Sequence, residues 1–156
     1  MDANTKAALE GFDELWARVC GAGPAETDTG LGALRGFIAD EACAAAFYEA
    51  AAGRFPRFAK RLRQLAEEER GHLRRLQAEH FLLTGELLLP PGSCPLPRGG
   101  LRALRTAYCD ELAAAAAYKS AAEREKSGAL AGLYLSNASD EERHAGILKE
   151  LILSAL

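Results

Sequence analysis

Two glutamate–histidine pairs at one spacing carry the chemistry of this sequence. Glu69 and His72 form the first Glu-x-x-His pair, and Glu141 and His144 the second. Upstream of each stands a lone glutamate with a tyrosine seven residues on: Glu41 with Tyr48, and Glu111 with Tyr118. The order Glu, Tyr, Glu-x-x-His therefore occurs twice, with 28 residues from Glu41 to Glu69 and 30 from Glu111 to Glu141. On a helix, three residues turn about 300°, so each Glu-x-x-His pair shares a face and reaches one metal region together. Seven residues turn about 700°, which brings each lone glutamate and its tyrosine back to one face. With 16 glutamates in 156 residues, a histidine has Glu three places before it about one time in ten by composition. Two of the three histidines have it, and the matched upstream Glu and Tyr make coincidence a poor account.

The stripes that carry these residues are apolar. Leu104, Tyr108, Ala115 and Ala122 share the stripe of Glu111, and Leu65, Leu73 and Leu76 surround His72. A carboxylate buried on such a stripe is costly unless it is paired or bound to metal. Glu41, Glu69, Glu111 and Glu141 together supply four negative charges, which two divalent ions balance. Neutral His72 and His144 complete the set without changing the total. Without metal, four carboxylates in a dry core repel, and some must take up protons. Mixed carboxylate and imidazole donors suit iron, manganese or zinc, and affinity order alone does not pick one.

Positioning such a set takes four helices. The spacing of apolar residues and the glycine and proline breaks predict helices from Leu31 to about Ala52, from Pro56 to about Leu83, from Leu101 to about Lys126 and from Ala129 to about Ser154. No stretch alternates with period two for long, so no strands are expected. Residues 84–100 hold four prolines and cannot be helical throughout. That connection is longer than neighbouring antiparallel helices need, so it is expected to run along the bundle as one long crossover. The fold class is therefore all-α: a four-helix bundle over 31–156, with a short extra N-terminal helix and loop over 1–30. That helix carries Leu9, Phe12, Leu15, Trp16 and Val19 on one side and is expected to cover the bundle or join a dimer contact.

Composition bounds the rest. The chain is one domain long, with a formal net charge of −3, 49% hydrophobic and 26% charged residues. No basic excess exists to neutralise phosphates, so no nucleic-acid partner is expected. No apolar stretch approaches the roughly 20 residues of a bilayer span, so no membrane partner is expected either. The acidic start lacks a charged-then-apolar leader, and Cys20, Cys43, Cys94 and Cys109 stand far apart with no Cys-x-x-Cys. A cytoplasmic chain with free thiols is the expectation.

The doubled set resembles the di-metal carboxylate site of ferritin-like proteins. With a tyrosine seven residues after each lone glutamate, it looks most like the rubrerythrin branch, over about residues 31–154. The resemblance implies a ferritin-like bundle holding two irons, with Glu69 and Glu141 bridging them. It makes Glu41, Glu111, His72 and His144 terminal ligands, and Tyr48 and Tyr118 hydrogen-bond partners of the carboxylates. It implies an oxidoreductase that reduces hydrogen peroxide or oxygen with an external electron-donor protein, working as a homodimer. Ferrous oxidation with iron storage or handling is the alternative, and a non-catalytic metal-binding bundle a second. The chain departs from the rubrerythrin pattern twice. It lacks the two Cys-x-x-Cys pairs of a rubredoxin domain, and residues 113–117 are all Ala where that branch carries a further Glu. The six-ligand set that remains resembles bacterioferritin-type ferroxidase sites as much.

Blander roles are expected elsewhere. Glu67, Glu68, Glu142 and the Arg57, Lys60, Arg61, Arg63 cluster read as solvated faces. His80 has Gln77, not Glu, three before it and reads as a surface or packing residue. Tyr108 and Tyr134 read as core or rim. Cys43 and Cys109 read as buried, inert thiols.

Overall fold

The computed structural model of the protein describes residues 28–156; the expected helix at 3–20 lies outside them. Four long helices follow one another: α1 (Asp28–Arg54), α2 (Ala59–Thr84), α3 (Leu101–Arg124) and α4 (Gly128–Ala155). Among the described residues there is no strand. A 3₁₀ turn, Pro56–Phe58, joins α1 to α2, with proline where a missing N–H does no harm. At the end of α2, Gly85 takes φ 74° and its N–H closes on the Phe81 carbonyl at 2.7 Å. That left-handed conformation suits glycine and stops the helix. Gly99 and Gly100, with φ of 84° and 60°, turn the chain into α3. Ser127 caps α4, its hydroxyl accepting from the Leu130 N–H. The helix α1 starts earlier than its Leu31 expectation and runs through Gly30 and Gly32.

Two hydrophobic clusters hold the bundle. One joins Tyr48, Ala51 and Ala52 of α1 to Leu62 and Leu65 of α2, Leu104 and Ala107 of α3, and Ile147 and Leu148 of α4. The other joins Leu34, Phe37 and Ile38 of α1 to Leu76 of α2, Tyr118 and Ala121 of α3, and Tyr134 and Ala138 of α4. Their memberships set the topology. The C-terminal halves of α1 and α4 lie at the same end as the N-terminal halves of α2 and α3. So α1 pairs antiparallel with α2, α3 pairs antiparallel with α4, and α2 and α3 run the same way. The connection over 85–100 must then cross the length of the bundle. Helix α2 is about 39 Å long, and sixteen extended residues reach about 50 Å, so the span is met.

The crossover is held at named points. His80, buried at the end of α2, meets the Glu86 carbonyl through Nδ1 at 2.9 Å, and Arg35 approaches its Nε2 at 3.3 Å. It is a packing histidine. Gln77 donates to the Leu88 carbonyl at 2.8 Å, and Arg54 donates to the Pro97 carbonyl. Between Leu88 and Pro97 the crossover is bonded to α1 by a disulfide, Cys43–Cys94, with Cα atoms 5.0 Å apart. This corrects the expectation of free thiols. Cys43 is not an inert thiol, and Cys109, expected buried, is exposed. The cysteine argument for a reducing compartment therefore falls. Among the described residues, no helix is long and apolar enough to cross a membrane.

Candidate metal centre

Between the two hydrophobic clusters lies a polar layer. Glu41 comes from α1, Glu69 and His72 from α2, Glu111 from α3, and Glu141 and His144 from α4, and all six are buried. The helices bring together every ligand candidate read from the sequence. Their donor atoms form two groups: Glu41, Glu69, His72 and Glu141; and Glu69, Glu111, Glu141 and His144. Within each group one donor atom per residue lies within 4.8 Å of the others. Glu69 and Glu141 belong to both groups, so the site is two overlapping four-donor cages sharing a pair of carboxylates.

The distances show how tightly the layer closes. His72 Nδ1 stands 3.1 Å from Glu69, 3.0 Å from Glu141 and 3.4 Å from Glu41. His144 Nδ1 stands 2.9 Å from Glu69, 3.1 Å from Glu141 and 3.8 Å from Glu111. The donor set fits a pair of cations. Both Glu69 oxygens, Glu141 Oε1 and His72 Nδ1 are buried and make no hydrogen bond of acceptable geometry. Such atoms carry a large desolvation cost, which a cation placed among them offsets.

The tyrosines act across the bundle. Tyr48 of α1 donates to Glu111 of α3, and Tyr118 of α3 donates to Glu41 of α1. Each phenol thus holds the lone glutamate of the opposite half. Burial and the neighbouring carboxylate push both phenol pKa values well above 10, so both stay protonated and keep donating. Phe37 stacks on Tyr118 with ring centroids 4.0 Å apart, which fixes that ring. Tyr134 is core, and Tyr108 packs against the other cluster half-buried.

A second pair of carboxylates lies behind the histidines and was missed in the sequence. His144 Nε2 faces Glu68 Oε2 at 2.7 Å, and His72 Nε2 faces Asp140 Oδ2 at 3.2 Å. Arg143 bonds Glu68 and Asp140 at 2.8 Å each, tying the two halves together. Glu68 is therefore not a solvated face. Glu67 and Glu142 are exposed, as expected; Glu67 pairs with Arg70 and Arg74, and Glu142 with Lys119. Burial tends to raise the Glu68 and Asp140 pKa values, but Arg143 and the histidines outweigh it and lower both. Outer carboxylates of this kind orient an imidazole and raise its basicity as a ligand. A signal for them exists: each Glu-x-x-His pair is directly preceded by an acid, Glu68 or Asp140. Glu68→Ala is expected to weaken metal affinity about 10- to 100-fold at the His144 group. Chelator competition measures it, and an unchanged affinity would refute the positioning role.

A cavity of about 480 Å³ opens onto the layer between α1 and α3. Glu41, Glu69, Glu111, Glu141 and both tyrosines line its floor, and Ala44, Ala113, Ala114 and Ala117 keep its walls narrow in side chain and so wide in space. Asp40 and Asp110, exposed but partly desolvated, stand on its lining with raised pKa values.

Helix order, crossover and the buried carboxylate–histidine layer define a ferritin-like four-helix bundle with a candidate di-metal centre. No family model matches the chain, and no curated protein matches it. Among solved structures it is similar to a Chlorobium tepidum ferritin at 21% identity, with a TM-score of 0.70. The likeness covers 84% of this chain and 86% of that one, and it shows the fold.

Proposed function

We propose that the chain is a di-metal carboxylate oxidoreductase that uses two irons to reduce hydrogen peroxide or oxygen with electrons from an external donor. The observation that carries this reading is the pair of overlapping cages opening onto one cavity. Glu69 and Glu141 would bridge the ions. Glu41 and His72 would complete one coordination set, and Glu111 and His144 the other. Bound as a ferrous pair, the metals supply two electrons to an O–O bond. The chain's own residues do the rest. Tyr48 and Tyr118 hold the terminal carboxylates in place. Glu68, Asp140 and Arg143 hold the imidazoles. The alanine walls leave room for a small oxidant, and Asp40 and Asp110 make the entrance negative, which favours cations on approach.

That negative entrance, and the alanines at 113–117 in place of a further carboxylate, favour a second reading. In it the same site oxidises ferrous iron as a substrate and hands it on. One experiment separates the two. Anaerobic protein loaded with two ferrous ions per chain is mixed with peroxide, and loss of ferrous ion is followed. Oxidation at least about tenfold faster than for free ferrous ion, a factor of about 1.4 kcal/mol in the barrier, is expected. No acceleration would overturn both readings. Repeated turnover with added reductant and no further iron uptake supports peroxide reduction; continued uptake of iron supports the second reading.

A further inference from the structure

The Cys43–Cys94 bond has no part in the site chemistry above, yet it sits on the same cavity. Cys43 lies two residues past Glu41 on α1, about 200° round the helix, so it leaves the helix on nearly the opposite side from the inward-facing Glu41 and is half-buried. Even so, Cys43 lines the cavity, and so does Pro95, the neighbour of Cys94 on the crossover. The disulfide therefore stands at the outer edge of the opening. Its crossover half belongs to a stretch with little else to hold it. Leu88 and Pro97 are bonded to α2 and α1, but Leu89 to Ser93, Pro95 and Leu96 are exposed, and among the described residues the disulfide is the bond that ties this stretch to the bundle between those two anchors. Both sulfur-bearing residues are half-buried, within reach of a small thiol.

We infer that the Cys43–Cys94 disulfide is a reducible latch on the mouth of the metal cavity, opened by a thiol reductant. A thiolate attacks one of the two sulfurs and forms a mixed disulfide, and the other cysteine leaves as a thiolate and takes a proton. A second reductant thiol then resolves the mixed disulfide. The protein disulfide gains two electrons, the two reductant thiols lose two as they become a disulfide, and no other co-reactant is needed. Once free, the crossover from 89 to 96 has no covalent hold on α1. Pro95 can move from the cavity wall, and passage between solvent and the carboxylate layer becomes faster. The ligand residues themselves are untouched, so the latch changes rates of entry and exit and leaves equilibrium affinity as it was. The consequence for iron rests on the function proposed above, whereas the release of the crossover does not.

Two readouts keep these apart. In the first, zinc-loaded protein is mixed with excess chelator, and zinc release is timed for the oxidised chain, the dithiothreitol-reduced chain, Cys43→Ser, Cys94→Ser and, as control, Cys109→Ser. Release is expected to quicken at least about tenfold in the reduced chain and in both latch variants, and to stay unchanged in the control. In the second, the metal-free chain is followed by hydrogen exchange over residues 85–100. Reduction is expected to raise exchange there and to leave the α1 amides around Glu41 protected. Mass labelling must show two more reactive thiols after reduction of the native protein. Equal zinc release in all forms, or a bond that resists reduction in the folded chain, overturns the latch. A chain that binds no zinc defeats the metal function, and the exchange measurement then decides the latch alone.

Discussion

Glu69→Gln and Glu141→Gln are each expected to abolish loading of both metal ions, whereas Glu41→Gln and Glu111→Gln each spare one. The asymmetry follows from membership. Glu69 and Glu141 have an oxygen in both four-donor groups, Glu41 belongs only to the His72 group, and Glu111 only to the His144 group. If a four-ligand site is worth roughly 10–16 kcal/mol, an even share per ligand corresponds to a hundred- to thousandfold loss of affinity. A shared residue inflicts that loss twice. The glutamine variants keep side-chain volume, so no cavity opens and the helices are expected to persist. The metal-free layer also has a way to absorb the change. Burial, foremost, and the nearby Glu141 and Glu69 charges hold the Glu41 pKa at about 8, so Glu41 carries a proton that it can give up when a neighbouring carboxylate is lost. Elemental analysis of protein grown with added iron, supported by titration of the metal-free chain, reads the outcome. About two ions per chain are expected for wild type, one for Glu41→Gln or Glu111→Gln, and none for either shared residue. Equal losses in all four variants would mean that the two cages do not act as an overlapping pair.

Much of this arrangement was legible in the sequence, for a physical reason. Glycine and proline mark the breaks between helices, because Pro56, Pro90, Pro91, Pro95 and Pro97 cannot sit inside one, and Gly85 and Gly99 take backbone angles other residues avoid. The doubled Glu, Tyr, Glu-x-x-His order needs only helical periodicity to place six buried polar residues in one layer. What the spacing left out is whatever depends on which helices touch. Tyr48 and Glu41 share a face but stand about 10 Å apart along the axis, so the tyrosine must serve another helix. Its partner, Glu111, follows only from the bundle. Glu68 looked like one more acid in the run Glu67-Glu68-Glu69, because its partners His144 and Arg143 lie on α4. Cys43 and Cys94 are 51 residues apart, and their pairing depends on the path of a crossover that the sequence places only by length.

Metal loading is expected to release about four protons per chain near pH 7, and affinity is expected to climb steeply with pH. Burial, with nearby carboxylates adding to it, raises the Glu41 and Glu111 pKa values from 4.5 to about 8, so both are neutral in the metal-free chain. Burial alone would lower the His72 pKa, but the carboxylates of Glu141, Glu41 and Glu69 around Nδ1 outweigh it and push it up to about 12. For His144 too, burial lowers the pKa but Glu111, Glu141 and Glu69 outweigh it and raise it well above 6.5, so both rings are imidazolium. Glu69 and Glu141 resist their own burial through the two histidines and stay ionised, Glu141 with a pKa of about 2. The metal-free layer thus carries two positive rings and two negative carboxylates, which sum to zero. With two divalent ions, four carboxylates and two neutral rings also sum to zero. Passing from one to the other expels a proton from each of Glu41, Glu111, His72 and His144, about two per ion. Apparent affinity per ion should then rise about a hundredfold per pH unit between roughly pH 5 and 8, and less steeply above, where Glu41 and Glu111 are already ionised. Stability of the metal-free chain moves the other way. Groups whose folded pKa is raised stabilise fully below their unfolded values, 4.5 for the two glutamates and 6.5 for the histidines. That contribution fades as pH rises through about 8 for the two glutamates and about 12 for His72, and His144 shifts in the same direction. Glu141, with its lowered value, acts only at the acid end, where its contribution is lost as pH falls from 4.5 through about 2. The gap in melting temperature between loaded and metal-free protein should therefore widen steadily from pH 5 to pH 8. Calorimetric titration in buffers of different ionisation enthalpy counts the protons directly. A count near zero would mean that the four carboxylates and two rings do not hold the ions.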